Sequence, residues 1–198
     1  MKEVLLIGSG NKDKTAELAG LLAGLPWEIK CLADFPQIPE PTEDGDTLEA
    51  NALKKARYYG SRFDVSCVAD DSGLSVDALD GGPGVLSARY AGATCTYADN
   101  NAKLLEALEG VAEQDRAARF VCCAAFVDRA GESHIAIGTV EGRIAIKPRG
   151  NNGFGYDPLF IPDGHDKTFG ELDKRMKQHI SHRARAFREL RAYLESLR

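Results

Sequence analysis

Nowhere does this 198-residue chain hold the roughly eighteen consecutive apolar residues that a membrane-spanning helix needs, which excludes a spanning segment. Cysteine is scarce. There are five, at positions 31, 67, 95, 122 and 123, and no two stand in CxxC spacing. An odd, scattered set excludes a disulfide framework or a zinc site. It reads instead as small buried hydrophobes in a reducing cytoplasm. Positive charge is not in excess either: the formal net charge of −5 argues against a chain that coats nucleic acid. Internal repeats, low-complexity segments and a clear linker are missing, as is the GxxxxGK[ST] phosphate loop. The opening residues, Met1 to Gly8, are too short for a signal peptide and read as a first strand.

What is present predicts one α/β domain over residues 1–198, large enough for a substantial core and with room for two lobes. Lys2 to Ile7 is an apolar strand, and Leu18, Leu21, Leu22 and Leu25 mark one face of a following helix. Leu32 to Asp46 is a proline- and acid-rich connection. Asp46 or Thr47, with Glu49, starts a second helix in capping-box style, with Leu48, Ala52, Ala56 and Tyr59 as its buried stripe. A third helix starts at Thr96 or Asp99 and buries Leu104, Leu105 and Leu108. Phe120 to Val127 is a continuous apolar run, expected as a strand covered on both faces. His134 to Glu141, with Ile135 and Ile137 inward, and Arg143 to Ile146 read as two short strands of a meander. His134 has no companion and reads as a surface residue. The last helix takes Ser181 as its N-cap and buries Phe187, Leu190, Leu194 and Leu197.

Four places carry chemistry. The first is Ser9-Gly10-Asn11-Lys12-Asp13-Lys14, between the first strand and helix. Free N–H groups at a helix start attract anions, and two lysines add charge; an ordinary βα turn with solvated lysines fits equally well. The second is Asp70-Asp71, after the apolar run Val65–Ala69 and before a Ser72-Gly73 turn expected to fold the chain into a hairpin. Neighbouring side chains on an extended chain face opposite ways, so one acid faces a cleft and the other serves the turn. A carboxylate there suits a hard cation beside a phosphate, and Glu40 or Glu43 is a candidate second ligand. Lys55, off its helix's apolar stripe, is a solvent charge or a phosphate contact. Turn chemistry alone would explain Asp-Asp-Ser-Gly, but not the nearby Gly82-Pro83-Gly84 and Arg89. The third is Gly153-Phe154-Gly155-Tyr156-Asp157-Pro158, where an aromatic ring on a glycine-rich loop either stacks on a nucleobase or pins the loop to the core. The fourth is Lys177, His182 and Arg183. Lys174–Arg198 carries a local +6 that leaves −11 on the rest, and cations at a helix start imply an anionic or polar ligand.

Taken together, Ser9-Gly10-Asn11 with Lys14 and Glu17, Asp70-Asp71-Ser72-Gly73-Leu74, Ser87-Ala88-Arg89-Tyr90, Gly153 to Pro158, and Lys177 with Ser181-His182-Arg183 resemble one family. It is the family of pyrophosphatases that act on non-standard purine nucleoside triphosphates (ITP, dITP and XTP). The resemblance spans nearly the whole chain. It implies a long mixed sheet flanked by helices, in two lobes with a nucleotide cleft, commonly as a homodimer. It also implies Mg²⁺-dependent hydrolysis to the monophosphate and pyrophosphate. By position, Ser9 to Lys14 would hold phosphates, and Asp71 would be the general base and a metal ligand. Ser72, Phe154 to Asp157, Lys177, His182 and Arg183 would contact substrate. The chain departs from the family in reading Thr42-Glu43-Asp44-Gly45 before the second helix, so either Glu40 or Glu43 is left to assist the metal. The 6-oxo group of hypoxanthine or xanthine would accept from Arg183 and His182, while the 6-amino group of adenine would face them donor to donor. Two other readings use the same motifs: a Maf-like pyrophosphatase for pyrimidine or modified nucleotides, and a nucleotide-sensing module that binds without cleaving.

Overall fold

The computed structural model describes residues 2–197. Strands β1 (Val4–Ile7), β2 (Glu28–Cys31), β3 (Ser66–Val76), β4 (Pro83–Gly84), β5 (Ala117–Val127), β6 (Ser133–Ile144) and β7 (Phe160–Pro162) form one mixed sheet. They hydrogen-bond in the order β2-β1-β3-β5-β6-β7, with β4 on β3. β1 pairs in parallel with β2 and with β3, whereas β3–β4 and β6–β7 are antiparallel. Apolar clusters cover both faces of β1, with Leu5 and Ile7 in one and Leu6 in the other, which explains why three successive residues are buried and do not alternate. The helices are α1 (Lys12–Leu22), α2 (Leu48–Phe63), α3 (Tyr97–Ala107), α4 (Lys174–Ile180) and α5 (His182–Ser196). Thr47 caps α2 by accepting from Ala50 N, and Thr96 and Asp99 cap α3 reciprocally. This is the α/β class expected.

The chain divides into two compact units. The first comprises residues 1–71, 122–138 and 183–198; the second comprises 72–121 and 139–182. All four crossings fall inside regular elements: β3, β5, β6 and the first turn of α5. The first unit has two apolar clusters. One joins Leu5, Ile7, Leu18, Leu22, Phe126 and Phe187; the other joins Leu6, Ala52, Ala56, Tyr59, Cys67 and Ala125. The second unit is built on Leu74, Leu104, Phe120, Tyr156, Phe160 and Phe169. No helix among the described residues is long and apolar enough to cross a membrane.

Three local expectations are corrected. Ser72-Gly73 does not turn: β3 runs unbroken through it. The chain reverses later, with Asp80 (φ 51°) and Gly81 (φ 85°) in the left-handed region and Gly81 N donating to Val76 O at 3.0 Å. Asp-Asp-Ser-Gly has turn propensity, but ladder partners along the strand hold it extended. Residues 133–144 are one strand, not two; Ile135 is half-buried against the cluster of Leu6, Ala52 and Ala125, as expected, but Ile137 is not inward. Ala136, Gly138, Val140, Gly142 and Ile144 are buried, whereas Ile137 is 53% exposed. β7 pairs beside β6 within the sheet, and a Cβ on Gly142 would lie 2.2 Å from Ile161 O, so only glycine admits β7 at that register. The last helix starts where expected, directly after Ser181, which has ψ 158° and also ends a short preceding helix, α4; Leu197, expected in the core stripe, is exposed beyond the end of α5.

Candidate active site

In the first unit, the loop from β1 to α1 is shaped by its own polar side chains. Asn11 Oδ1 accepts from Asp13 N and Lys14 N, both at 3.0 Å, and Thr15 Oγ1 donates to Ser9 O at 3.1 Å. Gly8 N donates to Val68 O at 2.8 Å, which ties the loop to β3. Ser9 and Lys14 are half-buried, whereas Gly10, Lys12 and Asp13 are exposed. Glu40 reaches this loop: a Cβ built on Gly10 would lie 2.0 Å from Glu40 Oε1.

β3 then delivers two carboxylates. Asp70 Oδ2 is 3.3 Å from Lys14 Nζ and 3.3 Å from Arg183 Nε, and Arg183 Nη1 donates to Glu17 Oε2 at 2.7 Å. Arg183 is only 2% exposed. The cation that the charge argument left facing a ligand therefore has carboxylates of its own unit on both sides. They hold its guanidinium firmly charged against burial. Asp71 faces other partners. Its Oδ1 accepts from Lys55 Nζ at 3.2 Å and its Oδ2 from Asn51 Nδ2 at 3.1 Å. Lys55 Nζ also donates to Glu43 Oε1 at 3.0 Å. Lys55 is thus neither solvated nor free: α2 places it between two acids.

Burial pushes the Asp71 carboxyl above the ordinary aspartate range. Lys55 and Lys14 pull it down, and Glu43 and Asp70 push it up. Lys55 shows the converse balance: burial works against its charge, but Asp71, Asp70 and Glu43 together win and keep it protonated. The result is a carboxylate poised for proton transfer beside a permanent cation. Among the described residues, no group of three or more His, Cys, Asp or Glu side chains gathers as a ready metal cage. The oxygen donors Asp71 and Glu43, linked through Lys55, with Glu40 against the β1–α1 loop, still suit Mg²⁺. That ion uses one or two carboxylates together with substrate phosphates and water.

In the second unit, the glycine-rich loop is built around Asp157. Its Oδ2 accepts from Phe154 N at 2.8 Å and from Lys177 Nζ at 2.6 Å. The Lys177 ammonium lies 4.6 Å from the centre of the Phe154 ring, and the Tyr97 ring packs 6.0 Å from that ring. Gly153 sits at φ +75°, and a Cβ there would lie 1.9 Å from Asp157 Oδ2. Only glycine lets the loop close this tightly. Tyr156 is the ring that pins the loop: it is buried, and its hydroxyl donates to Ser87 O at 2.9 Å. Phe154 remains half-buried. His182 is buried and stacks on Phe120, with centroids 4.6 Å apart. Ser72 and Arg89 are half-buried.

Sequence reasoning missed Asn51. Its one signal is an amide, of modest helix propensity, beside the apolar stripe of α2 and one turn before Lys55.

A mixed α/β sheet with a buried acid–lysine cluster and a glycine-closed aromatic loop is the setting in which the class of this protein is read. The chain belongs to the Ham1 family, whose model matches residues 5–193. It is 48% identical over 188 residues, covering 95% of each chain, to a dITP/XTP pyrophosphatase of Exiguobacterium sp. (strain ATCC BAA-1283 / AT1b). It is 46% identical over 190 residues, covering 96% of each chain, to the dITP/XTP pyrophosphatase of Geobacter sulfurreducens. Among solved structures, a HAM1 protein from Coxiella burnetii matches with a TM-score of 0.89 at 40% identity, over 98% of this chain and 99% of that one.

Proposed function

We propose that this protein is an Mg²⁺-dependent nucleoside triphosphate pyrophosphatase. It hydrolyses dITP, ITP and XTP to the monophosphate and pyrophosphate in the cytoplasm, as a homodimer. The observation that carries the reading is Asp71: a 6%-exposed carboxylate held by Lys55 and Asn51, in a chain that aligns end to end with dITP/XTP pyrophosphatases. The homodimer and the cytoplasmic setting come from the family resemblance and the reduced cysteines.

Asp71 accepts a proton from water as the water oxygen attacks the α-phosphorus. The bond from that phosphorus to the bridging oxygen breaks, and pyrophosphate leaves. Asp71 with Glu43 or Glu40 would hold Mg²⁺, which would supply charge neutralisation at the phosphate oxygens. Lys14, Lys12 and Lys55, with the N–H groups of the Ser9–Asp13 loop, supply the remaining positive field. For the base we assign Phe154 as the stacking ring and Lys177, His182, Gly155, Asp157, Ser72 and Arg89 as polar contacts. Arg183 directs Nε and Nη2 to Asp70 and Nη1 to Glu17, so we assign discrimination at the 6-position to His182 and backbone N–H groups.

A panel of triphosphates with pyrophosphate detection tests this. dITP, ITP and XTP should release pyrophosphate and leave the monophosphate, with ATP, dTTP and UTP far slower. Preference for dTTP or UTP would favour a Maf-like enzyme. Tight binding without cleavage at any Mg²⁺ concentration would favour a sensor. Release of single phosphate would overturn the reading.

A further inference from the structure

Asn51 is wholly buried within α2, where an amide side chain lowers helix propensity and must find partners. It finds two. Its Oδ1 accepts from Gly45 N at 2.8 Å, and its Nδ2 donates to Asp71 Oδ2 at 3.1 Å. The two partners fix the amide's orientation, because Gly45 N can only donate and an ionised carboxylate can only accept. Gly45 has no alternative side chain: a Cβ there would lie 2.7 Å from Asn51 Oδ1 and 3.0 Å from Ala50 Cβ. One helical turn further, Lys55 makes a second link between the same two segments, from Glu43 to Asp71.

We propose that Asn51 is a positioning residue that fixes Asp71 and the Glu43–Gly45 segment as one unit. On this view, the carboxylate and the acid loop take up their relative placement before substrate arrives. The inference rests on the catalytic role proposed for Asp71. Asn51 itself touches neither substrate nor metal. Its contribution is to stop the Asp71 carboxylate rotating about its own side-chain bond while Lys55 holds the other oxygen.

Two substitutions separate the halves of the bridge. Asn51→Asp keeps an acceptor for Gly45 N but confronts Asp71 with an oxygen in place of a donor. Asn51→Ala removes both links. With dITP and saturating Mg²⁺, Asn51→Asp should lower kcat about 10- to 100-fold while KM changes by less than about threefold. Hydrogen exchange at the Gly45 amide reads the bridge without any turnover. Protection should persist in Asn51→Asp and fall about tenfold or more in Asn51→Ala. If Asn51→Ala does not fold, Asn51→Ser, which leaves a hydroxyl in the space, takes its place. The proposal is overturned if Asn51→Asp keeps kcat within about twofold of the parent. It is also overturned if Gly45 exchanges equally fast in parent and alanine variant, or if both substitutions lower only the melting temperature. Should the parent protein release no pyrophosphate from dITP, the catalytic reading of Asp71 falls, while Gly45 exchange still decides whether the bridge exists.

Discussion

Asp70 and Asp71 are consecutive in β3, yet their carboxylates have separate partners: Asp70 meets Lys14 and Arg183, and Asp71 meets Asn51 and Lys55. The two-residue period of an extended strand produces this separation. One acid closes an ion network with cations from the starts of α1 and α5. The other faces the side chains of α2 and the acid loop. On the proposed mechanism, chemistry falls to Asp71 and stability to Asp70, and the two roles are separable by substitution.

Asp71→Asn should lower kcat by about 10²–10⁴-fold, because the isosteric amide cannot take the proton. Its fold should survive, since Lys55 retains Glu43 as a counter-charge. Steady-state pyrophosphate release, with circular dichroism on the same sample, checks both halves. Turnover within tenfold of the parent would remove Asp71 from the chemistry.

Asp70→Asn should behave in the opposite way. It leaves Arg183, 2% exposed, with one fewer buried counter-charge. Breaking one partner of such a buried pair costs about 3–5 kcal/mol, and in a chain of this size each kcal/mol lowers the melting temperature by about 2–4 °C. A fall of about 6–20 °C in a thermal melt is therefore expected. Residual activity measured well below the new midpoint should exceed that of Asp71→Asn. An unchanged melting temperature would mean that Glu17 alone is enough to hold the guanidinium.

The pH dependence follows from the same cluster. Burial holds the Asp71 carboxyl above the ordinary value of 3.8, and Lys55 is the largest influence in the opposite direction. A base must be ionised to act, so kcat/KM should fall on acidification at a higher pH than an exposed aspartate would give. Lys55→Gln removes the cation that favours the ionised form, so the carboxyl rises further and the acid limb moves to higher pH. The amplitude of activity also drops, but the limb's position is read separately. A limb that stays put or moves to lower pH would show that Lys55 does not govern the ionisation of Asp71.

How much of this was legible in the sequence depends on how far away the deciding contact lies. The opposed faces of Asp70 and Asp71 follow from local geometry and could be read in advance. The capping of α2 and α3 was also local, set by Thr47 and by Thr96 with Asp99. The straight run of β3 through Ser72-Gly73 was not, because the ladder partners that overrule the turn propensity lie elsewhere in the chain. Nor was the exposure of Ile137: hydrophobicity alone places it inward, but β6 buries Ala136 and Val140 in clusters built from residues distant in sequence. The counter-charges of the cations near α5 could not be read in advance because they are distant in sequence. Glu17 is 166 residues from Arg183, and Asp157 is 20 from Lys177.

Gly153 offers a test of the second unit on its own. It holds φ +75° with its missing Cβ 1.9 Å from Asp157 Oδ2, the oxygen that also takes Phe154 N and Lys177 Nζ. Gly153→Ala strains the backbone and pushes that carboxylate away, so one methyl group disturbs the anchors of Phe154 and Lys177 together. If the loop grips the base, KM for dITP should rise more than kcat falls, because the loss is one of substrate binding. Phe154→Ala removes the ring without moving Asp157, and loss of a stacking platform is worth about 1–3 kcal/mol, or about 5- to 150-fold in kcat/KM. Phe154→Trp should restore most of it, since any large aromatic face can stack. If Phe154→Ala binds dITP as tightly as the parent in a direct titration, the ring serves only to pack against Tyr97 and Lys177, and base recognition must be sought elsewhere in this unit.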